Sequence, residues 1–220
     1  MEATASATTF EMRCEAISDA VVTPFKLVGF PPPPREKASL AGCVYRSDGA
    51  KVAISERFGG YRGDWICSQN PDSIELPKGA ATLEGRGLYL GHYMGPHYGH
   101  FITETLSTFW ILEREPAQAF DYFLFHPFAF GTKIPAHVRY CLETFGIPSD
   151  KVLFVEDSPL HCRELMVPER LFRLNHSADR RVKAVYRRLG LAAAADVGSS
   201  APAASRLYLS RRRFSRRNFS

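Results

Sequence analysis

Apolar and polar positions change rhythm along the chain near Gly87. Before it the apolar runs are short. Val44–Arg46 and Val52–Ser55 flank Ser47-Asp48-Gly49, a turn signal that predicts a hairpin. Residues 1–20 are rich in Ala, Thr and Ser, and Phe30 to Arg35 encloses four consecutive prolines. Residues 1–40 are therefore expected to be a poorly ordered segment and a stiff connector. Phe58–Asn70 is Gly-rich and irregular. From Gly87 onward, Leu88–Leu90, Tyr122–Phe125, Val152–Val155 and Leu165–Val167 read as strands. His100–Glu113, Pro135–Phe145 and Ala178–Leu189 read as helices between or after them. Pro135 opens its helix and Gly146 follows it, the usual asymmetry of helix ends. Alternating strands and helices predict βαβ units on a parallel sheet, hence an α/β domain over residues 41–190. Residues 191–205 are Ala-rich without amphipathic spacing and read as a linker. Residues 206–220 open a fresh strand at Leu207–Leu209.

The segment from Tyr89 to Leu106 holds three of the seven histidines, His92, His97 and His100. Placed on a helix at about 100° per residue, Phe101, Ile102, Leu106, Phe109 and Leu112 share a core-facing side. His100, Glu104 and Ser107 fall opposite. His100 and Glu104 are four apart, close enough to hydrogen-bond. The Gly-rich loop before them leads into a helix N-terminus, which favours an anion. A histidine oriented by a carboxylate, or the carboxylate itself, can take a proton from a hydroxyl. The plainer alternative is a solvent-facing His–Glu pair without chemistry. A metal site from His92, His97, His100 and Glu104 is a third reading, but the spacing matches no ordinary zinc pattern. His126 ends a strand, where α/β sheets place ligands, although a loop histidine is the simpler account. Glu156-Asp157 ends a strand and could bind a sugar hydroxyl, although a solvated turn is the simpler account. His161, Cys162 and His176 have no spacing that carries chemistry.

Composition and charge narrow the classes further. With 45% hydrophobic and 23% charged residues, the chain is not expected to be disordered as a whole. No stretch approaches the ~18 apolar residues of a membrane span, and Met1–Glu15 shows no signal peptide. The five scattered cysteines form no CxxC pair and suit a reducing cytoplasm as small buried residues. The net charge of +5 conceals two parts. Residues 163–220 hold 14 basic and 4 acidic residues, whereas residues 1–162 hold 14 and 19. The basic end carries Arg206, Arg211, Arg212, Arg213, Arg216 and Arg217 just after a strand. Arginine forks suit phosphate, so one reading is a nucleotide diphosphate site. Tyr208, Phe214 and Phe219 interleave with the arginines, which leaves a nucleic-acid patch as another, and a disordered basic tail as the plainest.

Two stretches carry a resemblance. Tyr89-Leu-Gly, followed by His97-Tyr-Gly-His-Phe-Ile-Thr-Glu-Thr-Leu-Ser up to Trp110, is the first. Leu207-Tyr-Leu-Ser-Arg-Arg, followed by Arg216-Arg217, is the second. In order and spacing they resemble glycosyltransferase family 61, which includes capsular-polysaccharide enzymes, plant xylosyl- and arabinosyltransferases, and enzymes adding N-acetylglucosamine to protein or to O-mannose. Tyr122–His126, Lys151–Glu156 and Glu164–Pro168 also fall where that family would have them, so the likeness spans roughly residues 85–220. It implies a GT-B architecture, this chain supplying the Rossmann-like N-terminal, acceptor-side half. It implies inverting transfer of a sugar from a nucleotide donor, usually a UDP-sugar, without a required metal or other cofactor. His100 and Glu104 would be catalytic, His92, His97 and Ser107 would line the acceptor cleft, and Arg211, Arg212, Arg216 and Arg217 would approach the donor diphosphate. Which of His100 and Glu104 is the base stays open.

The pattern also departs from the family. There the arginine motif is followed by an Asn-Glu pair and the rest of the donor half, whereas this sequence stops at Ser220. Most of the donor half is thus expected to be missing and the 220 residues to be inactive alone, because a GT-B cleft needs both walls. The expected partners are a nucleotide-sugar donor and a glycan or glycoprotein acceptor, without nucleic acid and with peripheral association at the inner face of the membrane. A non-catalytic glycan-binding module and a nucleic-acid binder using the basic tail are the alternatives. Binding that falls steeply with salt would mark the latter.

Overall fold

The structure is a computed structural model that describes residues 13–28, 39–57, 70–128, 131–173 and 177–197. Its strands in chain order are β1 (Cys14–Val22), β2 (Lys26–Val28), β3 (Ser39–Ala41), β4 (Val44–Tyr45), β5 (Ala81–Tyr93), β6 (Tyr122–Pro127), β7 (Val152–Phe154), β8 (Leu160–Pro168), β9 (Phe172–Arg173) and β10 (Ser177–Ala178). Six of them form one sheet in the order β4-β1-β8-β5-β6-β7. β8, β5, β6 and β7 run parallel, and β1 lies antiparallel to both β8 and β4. The fold is α/β, as expected, but the sheet is mixed rather than parallel. The antiparallel side comes from β1, within the residues expected to be poorly ordered.

That correction has a physical cause. In β1 the buried side chains are Ile17, Ala20, Val21 and Val22, interrupted by Ser18 and Asp19. Small residues and two acids, Glu15 and Asp19, conceal the alternation of a half-buried strand. Its partner is also distant in sequence, Cys14 lying opposite Pro168 and Val22 opposite Leu160. Three other boundaries move. β5 is thirteen residues long and carries His92 and Tyr93 at its end, so these are strand residues and not loop. β8 extends well beyond Leu165–Val167 at its N-terminal end. The helix Val182–Val197 runs through the first part of the expected linker, which its alanines permit. The helix Ala136–Thr144 matches its expectation, with Pro135 as N-cap and Gly146 at φ +73° just after it. The turn at Ser47–Gly49 closes on itself, Val52 N–H donating to Val44 C=O at 2.9 Å, but the second arm then curls into a single 3₁₀ turn at Ala53–Ser55. Leu207–Leu209, the basic end and the proline run lie outside the described residues.

The two sheet faces build two cores. Leu88, Leu90, Phe123, Phe125 and Met166 face the helices, whereas Tyr89, Tyr122, Leu124, Leu165 and Val167 face the other side with Ile17, Val22 and Val44. This is the period-two division of buried strands. One position of β5 has no room for a side chain. Gly87 lies opposite Tyr122, and a Cβ there would stand 2.1 Å from a carbon of its ring. Gly87→Ala is expected to cost about 1–3 kcal/mol through overpacking. A Cβ on Gly190, in the helix Val182–Val197, would meet nothing within 4 Å. Gly190→Ala should therefore stabilise by about 0.5–1 kcal/mol. Urea denaturation of both variants checks the pair of opposite signs.

Between β5 and β6 the chain is helical from Tyr98 to Glu113, but not as one regular helix. It opens with a single α turn (Tyr98–His100), widens into a π turn (Phe101–Thr105), and tightens into a 3₁₀ segment (Leu106–Glu113). β6 and β7 lie on one side of β5 and β8 lies on the other. The carboxyl ends of β5 and β8 therefore flank a change in strand order, the place where open α/β sheets hold ligands. Among the described residues, no helix is long and apolar enough to cross a membrane.

Candidate functional site

Four side chains meet beyond the carboxyl ends of β5 and β8. His92 ends β5, Arg170 follows β8, Glu104 sits in the π turn, and Arg57 follows the 3₁₀ turn at Ala53–Ser55. His100 Nδ1 and Glu104 Oε1 are 2.5 Å apart, and Arg57 Nη2 donates to Glu104 Oε2 at 2.8 Å. Arg170 Nη2 donates to His92 Nδ1 at 3.1 Å. The helical segment is fastened to β5 by hydroxyls: Thr105 Oγ1 donates to the His92 carbonyl at 2.9 Å, and Thr108 Oγ1 lies 3.0 Å from the Leu90 carbonyl. Gly91, at φ +79°, brings its backbone close to Arg170, where a Cβ would stand 2.9 Å from Nη2.

The burial of Glu104 overturns the solvent-facing reading of the His–Glu pair. Glu104 is 1% exposed and Ser107 is fully buried, while His100 keeps partial exposure. A regular helix at constant pitch would turn Glu104 outward. The π turn changes the angle between residues, and the 3₁₀ segment after it buries every residue from Leu106 to Leu112. Ser107 Oγ donates to the Glu104 carbonyl at 2.7 Å, so it braces the π turn and does not face an open acceptor cleft. His92 is likewise enclosed. His97 is exposed and caps the first helical turn, its Nδ1 accepting from the His100 N–H at 3.4 Å.

Electrostatics assigns the state of Glu104. Burial pushes the Glu104 carboxyl up, but the His100 hydrogen bond and the charges of Arg57 and Arg170 outweigh it and hold the carboxyl below its ordinary value. Glu104 is thus a carboxylate and can only accept. His100 Nδ1 is therefore the donor across this contact, and Nε2 is the nitrogen left to take a proton in the Nδ1–H tautomer. A carboxylate held ionised by two guanidinium groups is a poor proton acceptor. The geometry suits Glu104 as the group that orients His100.

A second polar chain lies beneath the first. His126 is fully buried on β6, Nε2 donating to the Thr23 carbonyl at 2.7 Å while Nδ1 accepts from Tyr89 Oη at 2.7 Å. It is a satisfied strand histidine, neither a loop residue nor an open ligand site. Burial lowers its pKa to about 4 from 6.5, and burial with the nearby Arg170 holds that of His92 well below 6.5. An imidazole that protonates near 6.5 when unfolded but near 4 when folded destabilises the fold as pH drops between those values. The stability at neutral pH linked to His126 is on the order of 3 kcal/mol. Urea midpoints should therefore fall steadily on acidification from about pH 7 to 4, and His126→Gln should flatten that decline.

Two residues of this site, Arg57 and Arg170, are not among the candidates that the sequence offers. Arg170 has a signal, since it closely follows Glu164–Pro168. Arg57 has none, because it reaches Glu104 across 47 positions of sequence. Glu156 and Asp157 form an exposed turn, and His161 contacts Asp19 at 3.2 Å on the surface. Cys43, Cys141 and Cys162 are buried, and burial raises the thiols of Cys43 to about 12 and of Cys141 and Cys162 to about 11. Those thiols stay protonated and fill space. Arg211, Arg212, Arg216 and Arg217 lie outside the described residues, as does His176. Among the described residues, no group of three or more His, Cys, Asp or Glu side chains could hold a metal ion. Compared with known proteins, the chain matches no family model, no curated protein and no solved structure.

Proposed function

We propose that this chain is the acceptor-side, Rossmann-like half of a GT-B glycosyltransferase of the family 61 type, with His100 as general base and Glu104 as its positioning residue. The observation that carries the proposal is the 2.5 Å contact between His100 Nδ1 and a buried, doubly engaged Glu104. It lies inside the motif that resembles the family and at the change of strand order.

The chemistry follows from the protonation states. His100 Nε2 takes the proton of an acceptor hydroxyl, and the oxygen attacks the anomeric carbon of a nucleotide sugar. The bond from that carbon to the diphosphate breaks, the nucleoside diphosphate leaves with the electron pair, and the configuration inverts. Glu104 stabilises the imidazolium that forms, and Arg57 keeps Glu104 ionised and in place. Arg211 and its neighbours are assigned the departing diphosphate. The test is to incubate the complete gene product with UDP-sugars and a panel of glycan and glycoprotein acceptors. Mass spectrometry then looks for an acceptor heavier by one sugar. Glycan binding without transfer from any nucleotide sugar would replace this proposal with a non-catalytic binding module.

A further inference from the structure

The charges buried at the ends of β5 and β8 do not balance. Arg57 uses one N–H on Glu104, and its Nε is buried without a hydrogen-bond partner among the described residues. Arg170 is half-buried as a residue, yet its Nε and Nη1 are sealed from solvent and also lack partners among the described residues. Its Nη2 donates to His92 Nδ1, so the neutral His92 ring carries its proton on Nε2, again buried and unpartnered among the described residues. Glu104 has both carboxylate oxygens engaged. Glu169, the acid nearest Arg170 in sequence, turns away to Arg13 at 3.3 Å and Arg173 at 3.1 Å.

Two guanidinium groups thus lie near one carboxylate, which Arg57 contacts and Arg170 feels only through its charge, and every unpartnered polar atom among these residues is a hydrogen-bond donor. Burial opposes the charge of Arg170, Glu104 offsets this in part, and Arg57 adds repulsion. Arginine stays protonated in such surroundings. A water molecule could accept from two of the donors but would leave the charge uncompensated. An anion answers both needs. Arg170 also lines a cavity of about 270 Å³, whose wall includes Glu169, Arg173, Ser177 and Asp179.

We propose that Arg170, His92 and Arg57 form a binding site for one oxyanion, a carboxylate or a phosphate group, that serves as the counter-ion of Arg170. The site rests on the unpartnered donors and holds whether or not the chain transfers sugar. Where the glycosyltransferase proposal also holds, the oxyanion belongs to a substrate bound beside His100, either a uronate in the acceptor or a phosphate.

Thermal denaturation in inorganic phosphate, sodium glucuronate, glucose and sodium chloride at matched ionic strength tests this. Phosphate or glucuronate should raise Tm by roughly 3–5 °C at ten times its dissociation constant, with no comparable rise in glucose or chloride. A rise with glucuronate alone identifies an acidic sugar as the source, and a rise with phosphate alone identifies a phosphate. Arg170→Met should abolish the response, read against the variant's own Tm in the absence of anion. If that variant fails to fold, His92→Phe serves instead, keeping the ring shape, removing Nε2–H and weakening the response by about tenfold or more. No response to either anion in the wild type, or an equal response in the variants, overturns the proposal. Neither result depends on turnover, so failure here leaves the sugar-transfer proposal standing, and failure of transfer leaves this one standing.

Discussion

Under the sugar-transfer proposal, replacing His100 with Ala should lower turnover by about 10²–10⁴-fold, with little change in acceptor affinity. The size follows from what general-base catalysis contributes when a base within hydrogen-bond reach of its proton is removed. The alternative assignment, Glu104 as base, makes a different prediction. A carboxylate base would keep much of its function without His100, and Glu104→Gln would be the damaging change. In this site the buried carboxylate is held ionised by the His100 hydrogen bond, by the Arg57 guanidinium it contacts and by the charge of Arg170. It therefore takes up a proton reluctantly, which argues for the imidazole. Glu104→Gln should still reduce turnover, because it loses the charge that stabilises the imidazolium and presents an amide to two donors. Steady-state rates for both variants, read as kcat and KM separately, decide between the assignments.

Arg57→Ala should destabilise the fold by about 3–5 kcal/mol, more than any surface ion pair would explain. Arg57 and Glu104 are 7% and 1% exposed at their side chains, so removing the arginine leaves a buried carboxylate without its guanidinium partner. Arg57 also lies over the Phe128 ring, 4.9 Å from its centre, and that packing is lost too. Arg170 and His100 remain near Glu104 and soften the loss, which places the expectation toward the lower end of the range. The carboxyl of Glu104 should move up in the variant, since one of the charges holding it down is gone. Denaturation at neutral and mildly acidic pH measures both effects. An unchanged midpoint would mean that Glu104 does not depend on Arg57.

Much of this site is legible in the sequence itself. The spacing of His100 and Glu104 predicts their hydrogen bond, and the alternation of strands and helices predicts the α/β body. Two kinds of information are hidden. The first is local geometry. A constant helical pitch turns Glu104 and Ser107 toward solvent, and nothing in Phe101–Thr105 announces a π turn. The second is long-range contact. β1 reads as a weak Ala- and Ser-containing segment until β8 pairs with it. Arg57 reads as one more basic residue until its 47-position reach to Glu104 is seen. Side chains that come together from distant segments leave little periodic trace, whereas i, i+4 partners do.

Everything assigned to His100 depends on Glu104 holding its proton on Nδ1, which leaves Nε2 to act as the base. Nitrogen-15 NMR of the imidazole ring tests this in the 220-residue chain without any need for turnover. At a pH where the ring is neutral, His100 should show the Nδ1–H tautomer, and Glu104→Gln should shift it. A neutral His100 carrying its proton on Nε2 in the wild-type protein would contradict the assignment, since the nitrogen named as the base would then have no lone pair to offer.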